Sequence, residues 1–307
     1  MPIFKVNKQK LESIKEVKID LEKDIQTLTE NNLTTIFNLQ FVCSEFTHNN
    51  LRIDTLAYDQ ETQSFVIIEY KKDRSFSVID QGYAYLALML NNKADFILEY
   101  NEKTNQNLKR ENIDWSQSRV IFIANSFTKY QQQAINFQDL PIELWEVKKY
   151  SNNTFLYNQL QSPQASESIK TISKNKTISK VSQEVKKYTI SDLFKVDWRN
   201  SRDLFESLRP RILEIDERIE EKFNKFYVGY KIGSYNLCTL NVYKSKLELD
   251  LVRVDKKDLN DPENKIKLRP WKENNWGKLC RYTILSKNDF DYAMFLIKQV
   301  YEKFYKE

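Results

Sequence analysis

Glycine is scarce in this 307-residue chain, with four in all, at positions 82, 229, 233 and 277. Neither G-x-G-x-x-G nor G-x-x-x-x-G-K-[S/T] can be assembled from them, which excludes backbone-cradled phosphate loops of the Rossmann and Walker kinds. There is a single histidine, His48. The two-histidine H-E-x-x-H zinc motif is therefore excluded, and a Ser-His-Asp triad would have to use that one residue. The three cysteines, Cys43, Cys238 and Cys280, stand far apart. They form neither a zinc-knuckle spacing nor a disulfide framework, which fits a reducing cytosol. The longest uninterrupted apolar run covers residues 83–90, well short of a membrane span. The N-terminal MPIFKVNKQKLESIKEV holds no signal-peptide hydrophobic stretch. A soluble, cytoplasmic protein without membrane contact is the expectation, and any catalysis has to run on carboxylates, lysines, hydroxyls or metal ions.

The formal charge is +5 and the pI about 8.8, too mildly basic to name a nucleic-acid partner by itself. Its distribution says more. Residues 1–150 hold 18 basic and 21 acidic side chains, residues 151–190 hold 6 and 2, and residues 191–307 hold 24 and 20. The middle segment has no aromatic residue between Tyr157 and Tyr188, in a chain that is 13% aromatic. So little apolar surface predicts a flexible basic linker over 151–190 between two domains, 1–150 and 191–307. Its lysines read as solvated, although they could also strap loosely along phosphates.

In the first domain the apolar spacing predicts a helix over 11–38, a strand at 39–46, and a hairpin formed by LRIDTLAY (51–58) and FVIIEYKK (65–72). A helix over 78–91 follows, then strands at ADFILEY (94–100), RVIFIAN (119–125) and IELWEV (142–147), with a helix at 127–137. This is an α/β domain with a mixed central sheet flanked by helices. The second domain reads as a helix over 201–226, four strands (FYVGYKIG, CTLNVYKS, KLELDLVRV and CRYTILS) and a closing helix over 288–305, a smaller α+β module.

One pattern carries chemistry. Asp54 lies on the first hairpin strand, and Glu69, Tyr70 and Lys71 end the second. Alternation puts Glu69 and Lys71 on one face with Tyr70 on the other, and the hairpin brings Asp54 opposite them. Two acids and a lysine at the end of an apolar strand cost desolvation unless something compensates, and Mg²⁺ held by Asp54 and Glu69 would do so. Such a trio suits phosphodiester hydrolysis: the cation lowers the pKa of a bound water and screens the phosphate, and the lysine orients that water or stabilises charge. The bland reading is a salt-bridged edge hairpin.

R-I-D-T-L (52–56) followed by V-I-I-E-Y-K-K (66–72) resembles the D…E-x-K core of the PD-(D/E)XK nuclease superfamily, and more closely the catalytic domain of its NucS-type, mismatch-endonuclease-like branch. The likeness runs through residues 21–37, 78–86, 113–130 and 142–147, so it covers roughly residues 10–150. It implies a restriction-endonuclease-like α/β fold and a Mg²⁺-dependent endonuclease in which Mn²⁺ can substitute. Asp54 and Glu69 match the family's metal ligands and Lys71 its catalytic lysine. The Tyr70 backbone carbonyl would be a further ligand. Gln81 and Tyr85 match a Q-x-x-x-Y that follows the lysine, and Glu22 matches an acidic helix position that often completes the site. The leading proline of the family pattern is replaced by Ile53. Arg52 and Lys72 flank the core as candidate phosphate contacts.

The second domain resembles a widespread prokaryotic domain of unknown function sometimes labelled a predicted transport protein, which supplies no mechanism. Arg209, Arg211, Arg269, Trp271, Asn275 and Trp276 could grip phosphates and stack on bases, although core tryptophans and surface arginines explain them as well. The reading is a metal-dependent endonuclease, DNA being favoured over RNA as substrate, serving as a defence or repair effector. The alternative is a catalytically inactive nucleic-acid-binding or interaction protein on a nuclease scaffold. Double-strand cutting with one site per chain would imply a homodimer.

Overall fold

The computed structural model describes residues 2–19, 22–48, 51–71, 77–135, 137, 140–160, 176–269 and 279–306. They divide into two units, residues 1–187 and 188–307.

The first unit opens with a two-stranded hairpin, β1 (Ile3–Asn7) and β2 (Lys10–Ile14). Its main sheet has the order β3 (Glu16–Val17), β8 (Ile142–Tyr150), β7 (Arg119–Ala124), β6 (Ser64–Lys71), β5 (Leu51–Asp59), β4 (Gln40–His48), with β9 (Phe155–Gln159) beside β8. β7 runs parallel to both β6 and β8 and the other pairs are antiparallel. The central strands are apolar on both faces, as strands covered on both sides must be. Phe65, Ile67, Val120 and Phe122 join one core beneath α3 (Val78–Asn91) and α4 (Lys93–Thr104), whereas Val66, Ile68, Ile121 and Ile123 join a second core with Ile25 of α1 (Glu22–Glu30) and Leu33 of α2 (Leu33–Phe37). A mixed sheet flanked by helices is thus what the alternation builds.

α3 begins where the sequence places it, with the Ser77 side chain accepting from the Asp80 N–H at 3.2 Å as its N-cap. It lies close on the sheet because Gly82 has no side chain: a Cβ there would come within 2.5 Å of Ile142. A second short helix, α5 (Lys129–Ala134), is closed at its start by a Thr128–Gln131 capping box.

Several expectations are corrected. The helix expected over 11–38 is strand at Lys10–Ile14 and then two helices broken at Asn31 and Asn32. ADFILEY is the body of α4; its apolar residues satisfy a four-residue period as well as alternation, and Phe96 and Tyr100 are the ones buried. The linker expected over 151–190 contains β9, paired with β8, and α6 (Lys176–Glu184). Ile178, Val181 and Val185, a narrow 3–4 stripe, enter the core under α3 and α4, and Lys93 pairs with Glu184. Three β-branched residues were enough without any aromatic one. Residues 161–175 lie outside the described residues.

The second unit has an antiparallel sheet in the order β10 (Glu220–Phe223), β11 (Tyr227–Ile232), β12 (Tyr235–Val242), β13 (Leu247–Leu251), β15 (Leu279–Ile284), β14 (Lys267–Arg269). Helices α7 (Arg199–Leu213) and α8 (Phe290–Phe304) pack on it through Leu204, Leu208, Ile212, Leu296, Ile297 and Val300. The expected helix over 201–226 ends at Leu213, and residues 220–223 pair as a strand instead. On β13, Leu247, Leu249 and Leu251 join this core, while Glu248 and Asp250 alternate with them and clasp Arg281 of β15.

Candidate active site

The two hairpin strands that carry the acidic residues pair from Asp59↔Ser64 as far as Thr55↔Ile68, and there they part. β5 continues with β4 alone, from Phe46↔Ile53 to His48↔Leu51, and β6 continues beside β7 to Lys71↔Ala124. Asp54 and Glu69 are the first residues past the parting. This is the carboxyl end of parallel strand β6, where open α/β sheets place their ligands.

Side chains fill the place of the missing ladder bonds. The Asp54 N–H donates to Glu69 Oε1 at 3.1 Å, and the Tyr70 N–H donates to Asp54 Oδ2 at 3.1 Å. Lys71 Nζ donates to Glu69 Oε2 at 3.1 Å. Asp54 and Lys71 are half-buried, whereas the Glu69 side chain is only 1% exposed. Burial first, then the charge of Asp54, push the Glu69 carboxyl up to about 7, against the opposing pull of Lys71. The sequence therefore placed Asp54, Glu69 and Lys71 together, and the structure joins them in one hydrogen-bonded group.

α3 supplies the wall above them. Gln81 Nε2 donates to the Tyr85 hydroxyl at 3.2 Å, one helical turn on, and that hydroxyl donates to the Arg52 carbonyl at 3.2 Å. Burial, and next the Glu69 carboxylate, hold the Tyr85 phenol above its ordinary range. Arg52 itself is exposed and pairs with Glu45 at 2.9 Å. Glu45 stands in β4 between Ser44 and Phe46, which pair with Thr55 and Ile53, and has φ +56°, a left-handed conformation that non-glycine residues enter at a cost.

Glu22 starts α1 as an exposed residue. It does not join Asp54 and Glu69 in a ligand cluster: among the described residues no group of three or more His, Cys, Asp or Glu side chains is arranged to hold a metal ion. Two other residues of α1 reach the strand end. Gln26 Nε2 donates to the Asp54 carbonyl at 3.0 Å, and Glu30 accepts from the Thr55 hydroxyl at 2.6 Å. Sequence reasoning missed both, although Glu22, Gln26 and Glu30 recur every four residues and so share one helix face.

The remaining candidates are dispersed. In the second unit, Arg209 pairs with Glu221 at 2.7 Å, and Arg211 pairs with Asp291 at 2.8 Å and lies over the Phe290 ring. Arg269 ends β14. Lys72, Trp271, Asn275 and Trp276 lie outside the described residues. His48 sits 3.7 Å from Asp95 at the end of β4. All three cysteines are buried, with the Cys43 thiol pushed up to about 12 by burial, as fillers rather than nucleophiles. Among the described residues no helix is long and apolar enough to cross a membrane.

No family model matches the chain. An uncharacterized protein of Haemophilus influenzae is 42% identical to it over 301 residues, which cover 97% of this chain and 99% of the relative. The chain belongs to the same family as that protein. Among solved structures, a repair endonuclease from Pyrococcus abyssi is 16% identical over 39% of this chain, with a TM-score of 0.23. The structure of an EndoMS–dsDNA complex is 15% identical over 39% of this chain, also with a TM-score of 0.23. The match spans less than half of either solved chain, 45% and 43%. Superpositions this slight carry no statement about activity.

Proposed function

We propose that this protein is a metal-dependent endonuclease that hydrolyses phosphodiester bonds in DNA. The observation that carries the reading is the Asp54–Glu69–Lys71 group at the parting of β5 and β6. Two carboxylates meet there, one of them almost wholly buried, and among the described residues Lys71 is the cation bonded to Glu69. Among the described residues the group carries two acids against one lysine, and a hard divalent ion with oxygen preference suits that donor set. Asp54 and Glu69 would hold Mg²⁺ or Mn²⁺, with the Tyr70 carbonyl as a further ligand.

When bound, the cation lowers the pKa of a water and screens the scissile phosphate. Lys71 Nζ, fixed on the same strand end, is the group to orient that water and to stabilise charge on the phosphate. Gln81 and Tyr85 hold the α3 wall against the Arg52 main chain, so the face offered to substrate keeps its shape. A role in defence or repair, with the second unit engaging a trigger, extends the same reading.

The test is a panel of supercoiled plasmid, linear duplex, single-stranded DNA and RNA, incubated with Mg²⁺ or Mn²⁺ and with wild type, Asp54→Ala or Lys71→Met. Divalent-dependent cleavage of DNA by wild type, lost in both variants with little change in melting temperature, supports the proposal. Cleavage undiminished in Asp54→Ala sinks it. Nucleic-acid binding that persists in chelator, with no cleavage of any substrate, would favour a non-catalytic binding protein instead.

A further inference from the structure

An antiparallel strand residue presents its N–H and its C=O to the same neighbour. For Asp54 that neighbour would be β6, but the β5–β6 ladder ends one residue short of it, at Thr55↔Ile68. Side chains take its place on both groups. Glu69 Oε1 accepts from the N–H at 3.1 Å, and Gln26 Nε2 donates to the C=O at 3.0 Å. The first of these belongs to the site itself. The second comes from α1, on the other side of the sheet from α3.

The Gln26 side chain is well placed to hold one geometry. The residue is 5% exposed. Its Nε2 also donates to Glu30 Oε1 at 2.9 Å, so both amide protons are used, and both acceptors are oxygens that cannot donate. That leaves one orientation for the amide, with Oε1 turned to Lys23 Nζ at 3.4 Å. Glu30 in turn accepts from Thr55 Oγ1 at 2.6 Å, and Thr55 Oγ1 lies 3.3 Å from the Tyr70 hydroxyl. α1 thus grips consecutive residues of β5, one by main chain and one by side chain, and through Thr55 it reaches β6.

We propose that Gln26, with Glu30, is a positioning residue that fixes how far β5 and β6 diverge, and with it the separation of the Asp54 and Glu69 carboxylates. The functional part of this inference rests on the reading of that pair as a metal-holding site. No contact of Gln26 with either carboxylate is involved; it acts through the Asp54 main chain. A residue that merely satisfied a buried carbonyl would affect stability alone. A positioning residue also changes the site, and outer-shell partners of this kind are worth about 10- to 100-fold in metal affinity.

The experiment uses the full chain with Gln26→Met, which keeps length and loses both donors, and the milder Gln26→Asn, whose amide is too short to reach. Amide hydrogen exchange is followed in chelator at Asp54 and Tyr70, with Ile67 and Ile121 as references, and Mn²⁺ affinity is measured by calorimetry. The expected result is exchange at Asp54 and Tyr70 faster by roughly tenfold or more, with the references unchanged, and Mn²⁺ bound about 10- to 100-fold more weakly than by wild type. Unchanged exchange at Asp54 and Tyr70 in both variants overturns the proposal, and so does equal acceleration at all four amides. Wild-type Mn²⁺ affinity in a variant with altered exchange also overturns it. Selective exchange changes in a chain whose wild type binds no Mn²⁺ and cuts nothing would uphold the mechanical role of Gln26 and remove the metal-site reading.

Discussion

Glu69 accepts the main-chain N–H of Asp54 at the point where their strands separate, and its carboxyl is pushed up to about 7 by burial and by the Asp54 carboxylate. A backbone donor, a lysine and a second acid all meet at one buried group. Its protonation is therefore tied to folding. The folded chain holds this proton more tightly than the unfolded chain, where the ordinary value is 4.5.

The sign of the pH dependence follows. In chelator, this carboxyl favours the folded state fully below pH about 4.5, and the contribution is lost as pH rises through about 7. Glu69→Gln cannot titrate. The stability of wild type relative to Glu69→Gln, from urea unfolding across that window, should fall by on the order of 3 kcal/mol as pH rises. A difference independent of pH would show that Glu69 is not held in this state.

α6 gives a second prediction. Val181 is 2% exposed in the core under α3, with Ile178 and Val185. Val181→Asp in the full chain puts a charge into this apolar core, so the first unit should lose about 3 kcal/mol or more. Calorimetry would register a drop in its melting midpoint of roughly 5–10 °C. A midpoint unchanged by the substitution would return this segment to a solvated linker.

The second unit can be probed at Arg281. Its guanidinium is clasped by Asp250 and Glu248, all three side chains being at most 10% exposed. Arg281→Met leaves two buried acids without their shared partner and should cost about 3–5 kcal/mol. Chemical denaturation measures this loss. Wild-type stability in the variant would mean that the carboxylates find other partners.

The core strands were legible in the sequence because burial on both faces leaves continuous apolar runs, as in FVIIEY and RVIFIA. The site was legible because an acid or lysine at the end of such a run is conspicuous, and Asp54, Glu69 and Lys71 all stand there. Other features depend on neighbours that no local pattern specifies. Phe96 and Tyr100 fit a strand or a helix by spacing, and packing decided for the helix. Ile219 and Phe223 continue the period of the preceding helix but pair or pack beyond its end at Leu213. Gln26 and Glu30 look like ordinary solvated helix residues until β5 leaves β6 and presents a bare carbonyl to them.

The most direct measurement is calorimetric titration of Mg²⁺ and Mn²⁺ into wild type and into Asp54→Ala/Glu69→Ala, with DNA cleavage assayed on the same preparations. Saturable binding by wild type, absent from the folded double variant together with divalent-dependent cleavage, is the result predicted here. Equal binding by both proteins, or cleavage that survives in the double variant, would contradict the assignment of this strand parting as the active site.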